Sequence, residues 1–212
     1  MADIDHIVIG ARTLEEGSAY IEHLLGVKPQ PGGKHDGAGT HNLLLGMGPD
    51  CYLEVIAPDP SQPEPAHPRL FDLDDPATKL MLEAEPRLLT WVARTSSMDA
   101  IMSRLGPRGG EVREMKRGDL AWRFAIPPQR QDMDNLIPAM IEWKGERAGK
   151  RLHDSHLRLT ALEAEHPEAE GLRTALAERG LGEALKVKRG PHARLIAHLR
   201  GKDGVEHTLT SA

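Results

Sequence analysis

Three side chains stand where ordinary hydration is hard to reach. His6 lies within the β-branched run of residues 4–9, and strand parity puts it on one face with Ile4 and Val8, so its imidazole is expected to face an apolar concavity. Glu54 lies in Cys-Tyr-Leu-Glu-Val-Ile-Ala, residues 51–57, where both faces are apolar. Whichever face it takes, the carboxylate loses water and needs a cation or strong donors. Glu142, in Ile-Pro-Ala-Met-Ile-Glu-Trp, residues 137–143, is in the same position. One imidazole and two buried carboxylates are ligand types that suit Fe, Mn, Ni, Co or Zn. A buried arginine is the other way to satisfy a strand-borne glutamate, and Arg94 and Arg123 lie on neighbouring strands.

Other chemistry has less support. His35 and His41 lie in or beside a glycine-rich stretch, where backbone can approach a ligand closely or where the histidines are simply solvated. That stretch lacks the Lys-Ser/Thr of a phosphate loop and no helix start follows it. Gly-x-Ser-x-Gly is absent, and Cys51 has no basic neighbour in sequence, so a nucleophilic hydrolase is not indicated. His153 and His156 have a ligand spacing only on a helix, and their segment reads as a loop. Glu206 shares its face with Thr208 and Thr210, a solvated pattern. Trp91, Trp122 and Trp143 read as core, with room for one or two to wall a cavity.

The elements that would position these groups recur in one order. Residues 4–9 read as a strand, and Thr13 with Glu16 makes a capping box. Leu14, Ile21, Leu24 and Leu25 then repeat at helical spacing up to Gly26, a left-handed terminal cap. Residues 32–39 read as a glycine-rich loop, and 42–45 and 52–57 as two strands. The order returns as a strand at 88–94, a helix at 97–105 and strands at 111–116, 120–126 and 138–144, with 127–135 as an exposed loop. A third copy places a strand at 156–162, a helix at 167–179 and strands at 185–188, 193–200 and 205–210. The units span residues 1–57, 86–145 and 155–212. A proline-rich linker at 58–85, containing a short helix, joins the first two. Three similar units in one chain imply duplication.

Composition narrows the function classes. The 212 residues carry 27 Lys and Arg against 32 Asp and Glu, a net charge of −5, with mixed signs and no basic stripe, which argues against nucleic acid as a partner. Apolar runs are far shorter than the roughly 20 residues needed to cross a bilayer, so a membrane partner is not expected either. Residues 1–6 carry two aspartates and no export signal, and the single Cys51 suits a reducing compartment, so the expectation is a cytoplasmic protein.

Four stretches resemble the vicinal oxygen chelate superfamily and, within it, its glyoxalase-like branch. They are Asp-His-Ile-Val-Ile at residues 5–9, the glycine-rich 33–42, Tyr-Leu-Glu-Val-Ile-Ala-Pro-Asp-Pro at 52–60, and residues 136–143. A weaker similarity runs on through 157–167. The resemblance implies an α+β fold in which repeated βαβββ units curl mixed sheets around a cavity, with a third βαβββ-like unit at the C-terminus. It also implies a divalent metal held by His6, Glu54 and Glu142, chelated by two adjacent oxygens of a small substrate, with Glu54 or Glu142 moving the proton in isomerase, lyase or dioxygenase chemistry. One position departs from the pattern. The fourth ligand falls at Leu88 or Leu89, which bind no metal, and His41 is the candidate to replace it. The alternative is therefore a metal-free protein of the same fold that binds a small molecule or drug. An odd number of units implies that the third covers an edge of the first pair's sheet or pairs with a second copy in a homodimer.

Overall fold

Strand β1 (Asp3–Gly10) leads into helix α1 (Leu14–Leu25), whose first turn is closed by Thr13 Oγ1 accepting from the Glu16 amide. Gly26, at φ 67°, ends the helix in the left-handed conformation that glycine tolerates best. Strands β2 (Gln30–His35), β3 (Thr40–Gly46) and β4 (Tyr52–Pro58) follow. A connection with a 3₁₀ turn at Leu70–Asp72 and helix α2 (Pro76–Ala84) reaches the second set. That set is β5 (Arg87–Arg94), α3 (Met98–Leu105), β6 (Glu111–Arg117), β7 (Leu120–Ile126) and β8 (Ala139–Trp143). The third is β9 (Arg158–His166), α4 (Ala169–Glu178), β10 (Lys186–Arg189), β11 (Arg194–Arg200) and β12 (Glu206–Thr210). The structure, a computed structural model, describes residues 2–127 and 133–211. Residues 128–132 of the expected loop at 127–135 lie outside the described residues.

The first two sets form one mixed sheet of eight strands in the order β2-β3-β4-β1-β5-β8-β7-β6. β1 runs parallel to β4 and antiparallel to β5, and β5 runs parallel to β8, so a local twofold at the Ile7–Trp91 pair relates the halves. The sheet curls until its edge strands β2 and β6 touch, and Gly33 lies against the Arg117 side chain. Its concave face carries Val8, Leu44, Tyr52, Ile56, Trp122, Phe124 and Ile141 under Leu70, Leu73 and Leu82. Its outer face carries Ile7, Ile9, Leu53, Val55, Trp91 and Met140 under α1 and α3.

The third set repeats the order of elements but not the order of strands. Its own sheet runs β10-β9-β11-β12, with the opening strand between β10 and β11, whereas β1 pairs with the closing strand of its set. This sheet lies over the outer face of the large one, with β11 and β12 against β5, and Leu195, Leu199 and Leu209 join the same apolar cluster as Trp91.

Two local expectations are corrected. The glycine-rich segment read as a loop is strand as far as His35, because β2 needs only one partner at the sheet edge and finds it in β3. On β1, Ile4 pairs with Ala93 and His6 with Val92, which leaves Asp5 as a bulge. One extra residue reverses strand parity, so Ile4 packs toward the outer face while His6 shares the concave face with Val8.

Because the third set covers Trp91 and its neighbours, removing residues 155–212 should expose a large apolar area. The truncated chain is expected to bind a hydrophobic dye, lose near-ultraviolet dichroism and unfold without cooperativity. A soluble truncated chain with a sharp melting transition would show that the eight-stranded sheet is stable without this cover.

Candidate functional site

The bulge at Asp5 sets two ionisable side chains side by side. Asp5 Oδ1 lies 2.8 Å from His6 Nδ1, and Trp143 Nε1 donates to Asp5 Oδ2 at 3.0 Å. On the other side of the ring, His6 Nε2 lies 3.3 Å from Glu54 Oε2. Glu54 reaches this point because it pairs with Val8 across β1 and β4 and with Leu44 across β3 and β4. Asp5, His6 and Glu54 are all buried. The Tyr52 ring stacks on the imidazole, with centroids 4.5 Å apart.

The remaining carboxylate oxygen of Glu54 accepts from Asn42 Nδ2 at 2.5 Å. Asn42 uses its other groups as well: its Nδ2 is 3.2 Å from His35 Nε2, and its Oδ1 accepts from Arg117 Nη1 at 3.1 Å. His35 Nδ1 lies 2.9 Å from Thr40 Oγ1. Burial draws the His35 pKa down to about 4, so its ring is neutral at pH 7, donating to Thr40 and accepting from Asn42. Burial also draws His6 down, but the hydrogen bonds and charges of Asp5 and Glu54 outweigh it and raise its pKa to about 9. Burial pushes Glu54 up, and His6, His35 and Asn42 more than offset this, leaving it at about 2. The pair is an imidazolium and a carboxylate at neutral pH.

Above the pair is a cavity of about 30 Å³, room for one or two water molecules, walled by Phe71, Met115, Trp122, Phe124 and Trp143 with Arg117 at its side. Leu70, Phe71 and Phe124 also wall a larger hollow of about 450 Å³ over the second half of the sheet. Phe71, on the wall of both spaces, and Asp72, on that of the larger one, have φ of 56° and 55°, a left-handed conformation that costs a non-glycine residue about 1 kcal/mol or more.

The structure brings His6 and Glu54 together and leaves Glu142 and His41 apart from them. Glu142 accepts from the Met98 amide at 3.1 Å and from Arg123 Nη1 at 3.0 Å. Its neighbours Ile141 and Trp143 line the cavity, so parity turns Glu142 to the outer face beside the start of α3. His41 is next to Asn42 on β3 and for the same reason points away; its Nδ1 lies 4.0 Å from Asp59 Oδ1. The local twofold carries His6 to Thr90, Glu54 to Ala139 and the bulged Asp5 to the bulged Leu89. Thr90, rather than Leu88 or Leu89, therefore occupies the fourth position, and Ala139, rather than Glu142, is the counterpart of Glu54. His153 and His156 are exposed. Asp5, Asn42 and Arg117 carried no signal of their own, since a bulge and a seam between distant edge strands are invisible to local pattern.

A family model described as a glyoxalase-like domain matches residues 4–180. The chain belongs to this glyoxalase-like family, part of the vicinal oxygen chelate superfamily. No curated protein matches this glyoxalase-like chain by sequence. Among solved structures, a hypothetical protein from Staphylococcus aureus is similar over 98% of this chain and 85% of its own, with 16% identity and a TM-score of 0.57, a likeness of fold. A methylmalonyl-CoA epimerase from Mycobacterium tuberculosis shares 22% identity over 66% of this chain and 87% of its own, with a TM-score of 0.42. A hypothetical protein from Bacillus halodurans C-125 shares 14% over 69% and 97%, with a TM-score of 0.46.

The divalent metal of the superfamily can be tested against the donors present. His6 and Glu54 are suitable, and Asp5 on Nδ1 is the kind of partner that orients a ligating imidazole. A resident transition-metal ion such as zinc is held by three or four protein donors. Thr90 and Ala139 supply neither imidazole nor carboxylate, His35 Nε2 is engaged by Asn42, and no group of three or more His, Cys, Asp or Glu side chains among the described residues is placed to hold an ion. The residues do not fit the metal.

Charge on the buried pair makes stability depend on pH. Since His6 is held above its ordinary 6.5, its contribution is complete below about pH 6.5 and is lost as pH rises through about 9. Glu54 is held below its ordinary 4.5, so its contribution is present above about pH 4.5 and is lost as pH falls through about 2. Denaturant unfolding of the wild type should lose on the order of 2–3 kcal/mol between pH 6.5 and 9, with a flatter profile for His6→Gln. Parallel profiles for the two proteins would show that folding does not raise the pKa of His6.

Proposed function

We propose that this glyoxalase-like protein binds a small organic molecule without a resident metal, its polar end over the His6–Glu54 pair and its body in the larger hollow that shares Leu70, Phe71 and Phe124 with the small cavity. The observation that carries this reading is the completeness of the polar cluster: each His6 nitrogen has a carboxylate partner and Glu54 has donors on both oxygens, while the second half offers no further ligand. Burying two charges is expensive unless they are mutually paired and hydrogen-bonded, and here they are. The walls suit an apolar or aromatic body, with Trp122, Phe71 and Phe124 on the small cavity and Phe71, Ile126 and Ile137 on the larger hollow.

The acid and base strengths favour recognition over proton transfer in the resting pair. A useful general acid or base titrates near the working pH, whereas His6 at about 9 and Glu54 at about 2 lie on either side of it. The pair is thus a fixed dipolar floor, an imidazolium and a carboxylate whose field acts on a ligand held above it.

Elemental analysis and thermal shift test the reading together. Protein purified without chelator or affinity-tag nickel is expected to hold far less than one transition metal per chain, to keep its melting temperature in EDTA, and to melt higher with at least one compound of a panel of small aromatic and aliphatic carbonyl compounds. About one metal per chain, lost in a His6→Ala, Glu54→Ala double variant, would overturn it in favour of a metalloenzyme.

A further inference from the structure

We infer that Arg117 is the anion receptor of this site and that the ligand is a small carboxylic acid in its ionised form, an inference that rests on the binding role proposed above. Burial along β6 alternates so that Arg113, Met115 and Arg117 turn inward while Val112, Glu114 and Lys116 turn out. Arg117 is the one arginine or lysine among the described residues walling the small cavity. It also lines an open hollow of about 490 Å³ at the β2–β6 seam, so it stands where the buried space and solvent meet.

Its bonding is unlike that of every cation around it. In that open hollow, Lys34 is held by Ser61 and Asp59, and Arg151 by Asp119 and Glu146. Arg117 has no carboxylate within ion-pair distance among the described residues, and its bond is the one from Nη1 to the neutral Asn42. Nε and Nη2 have no partner among the described residues, and neither is among the polar atoms sealed from solvent. That free edge of a guanidinium presents two parallel N–H groups, the fork that matches the two oxygens of a carboxylate.

The sequence makes room for this side chain at a cost in strand propensity. A Cβ on Gly33 would lie 2.8 Å from Arg117 Cδ, and one on Gly32 would lie 2.1 Å from Asn42 Oδ1. Two glycines in an edge strand are unfavourable for the strand itself, and here they let Arg117 cross the seam and Asn42 face it. Through Asn42, the receptor is joined to Glu54, so an anion on Arg117 lies at the entrance to the His6–Glu54 floor.

Isothermal titration of two isosteric pairs, acetate with acetamide and benzoate with benzamide, tests the assignment on the full chain. In the wild type each carboxylate is expected to bind roughly tenfold or more tightly than its amide, the difference a charge-assisted hydrogen bond makes. In Arg117→Met the ratio should fall to about one with amide affinity kept, and in Arg117→Lys, which keeps the charge and loses the fork, it should fall part of the way. Lys116→Met, on the outward face of β6, should leave the ratio unchanged. A carboxylate preference that survives Arg117→Met, or no preference in the wild type while amides bind, would overturn the role of Arg117 and leave the binding role standing. No binding of any of the four, and none from the wider panel, would overturn both. If Arg117→Met fails to give the wild-type melting transition, the comparison between wild type and Arg117→Lys decides.

Discussion

An imidazolium and two carboxylates held out of water are the constraint around which this structure is arranged. A buried charge is tolerable only when its hydrogen-bonding capacity is used up, and each member of the cluster forces a further residue into place. Asp5 must bulge out of β1 to reach His6, and it recruits the Trp143 indole from the far end of β8. Glu54 needs donors on both oxygens, which fixes Asn42 on β3; Asn42 in turn needs a donor for its own carbonyl, which draws Arg117 across the seam from β6. The chain of contacts crosses the whole concavity, from the last strand of the second half to both edges of the sheet.

The two halves share a frame and differ in what fills it. The register is symmetric to the residue, including the bulges at Asp5 and Leu89, yet the polar positions of the first half are Leu89, Thr90 and Ala139 in the second. One half therefore carries a charged floor under a tight cavity, and the other a hollow of larger volume that Phe124, Ile126 and Ile137 line together with Arg69, Glu111 and Arg113. A chelate site assembled from both halves would need ligands where the second half has Thr90 and Ala139. What remains is a division of labour suited to a molecule with one polar end and one apolar body.

The third set of elements serves the opposite face. The large sheet is apolar on both sides around β1 and β5, and α1 and α3 leave the strip at β5 uncovered; the four-stranded sheet lies there and shares one apolar cluster with Trp91. Its different strand order is consistent with that task, since a sheet that lies flat on another has no cavity to enclose.

Much of this was legible in the chain. Element order, the capping of α1 and the burial of His6 and Glu54 follow from apolar periodicity, because strand and helix repeats are local and a charged residue in an apolar run stands out wherever the run folds. Residues 4–180 carry enough of that pattern to show the family. Tertiary structure alone decided the rest. Parity counted along the sequence put Ile4 with His6 and offered Glu142 as the twin of Glu54, and a one-residue bulge and the pairing of Val92 with Ala139 changed both. The glycines at 32 and 33 read as a loop because the side chains they make room for, Asn42 and Arg117, lie on other strands, and that of Arg117 meets Gly33 only when the sheet curls. Face and register belong to pairs of strands, and a sequence holds one strand at a time.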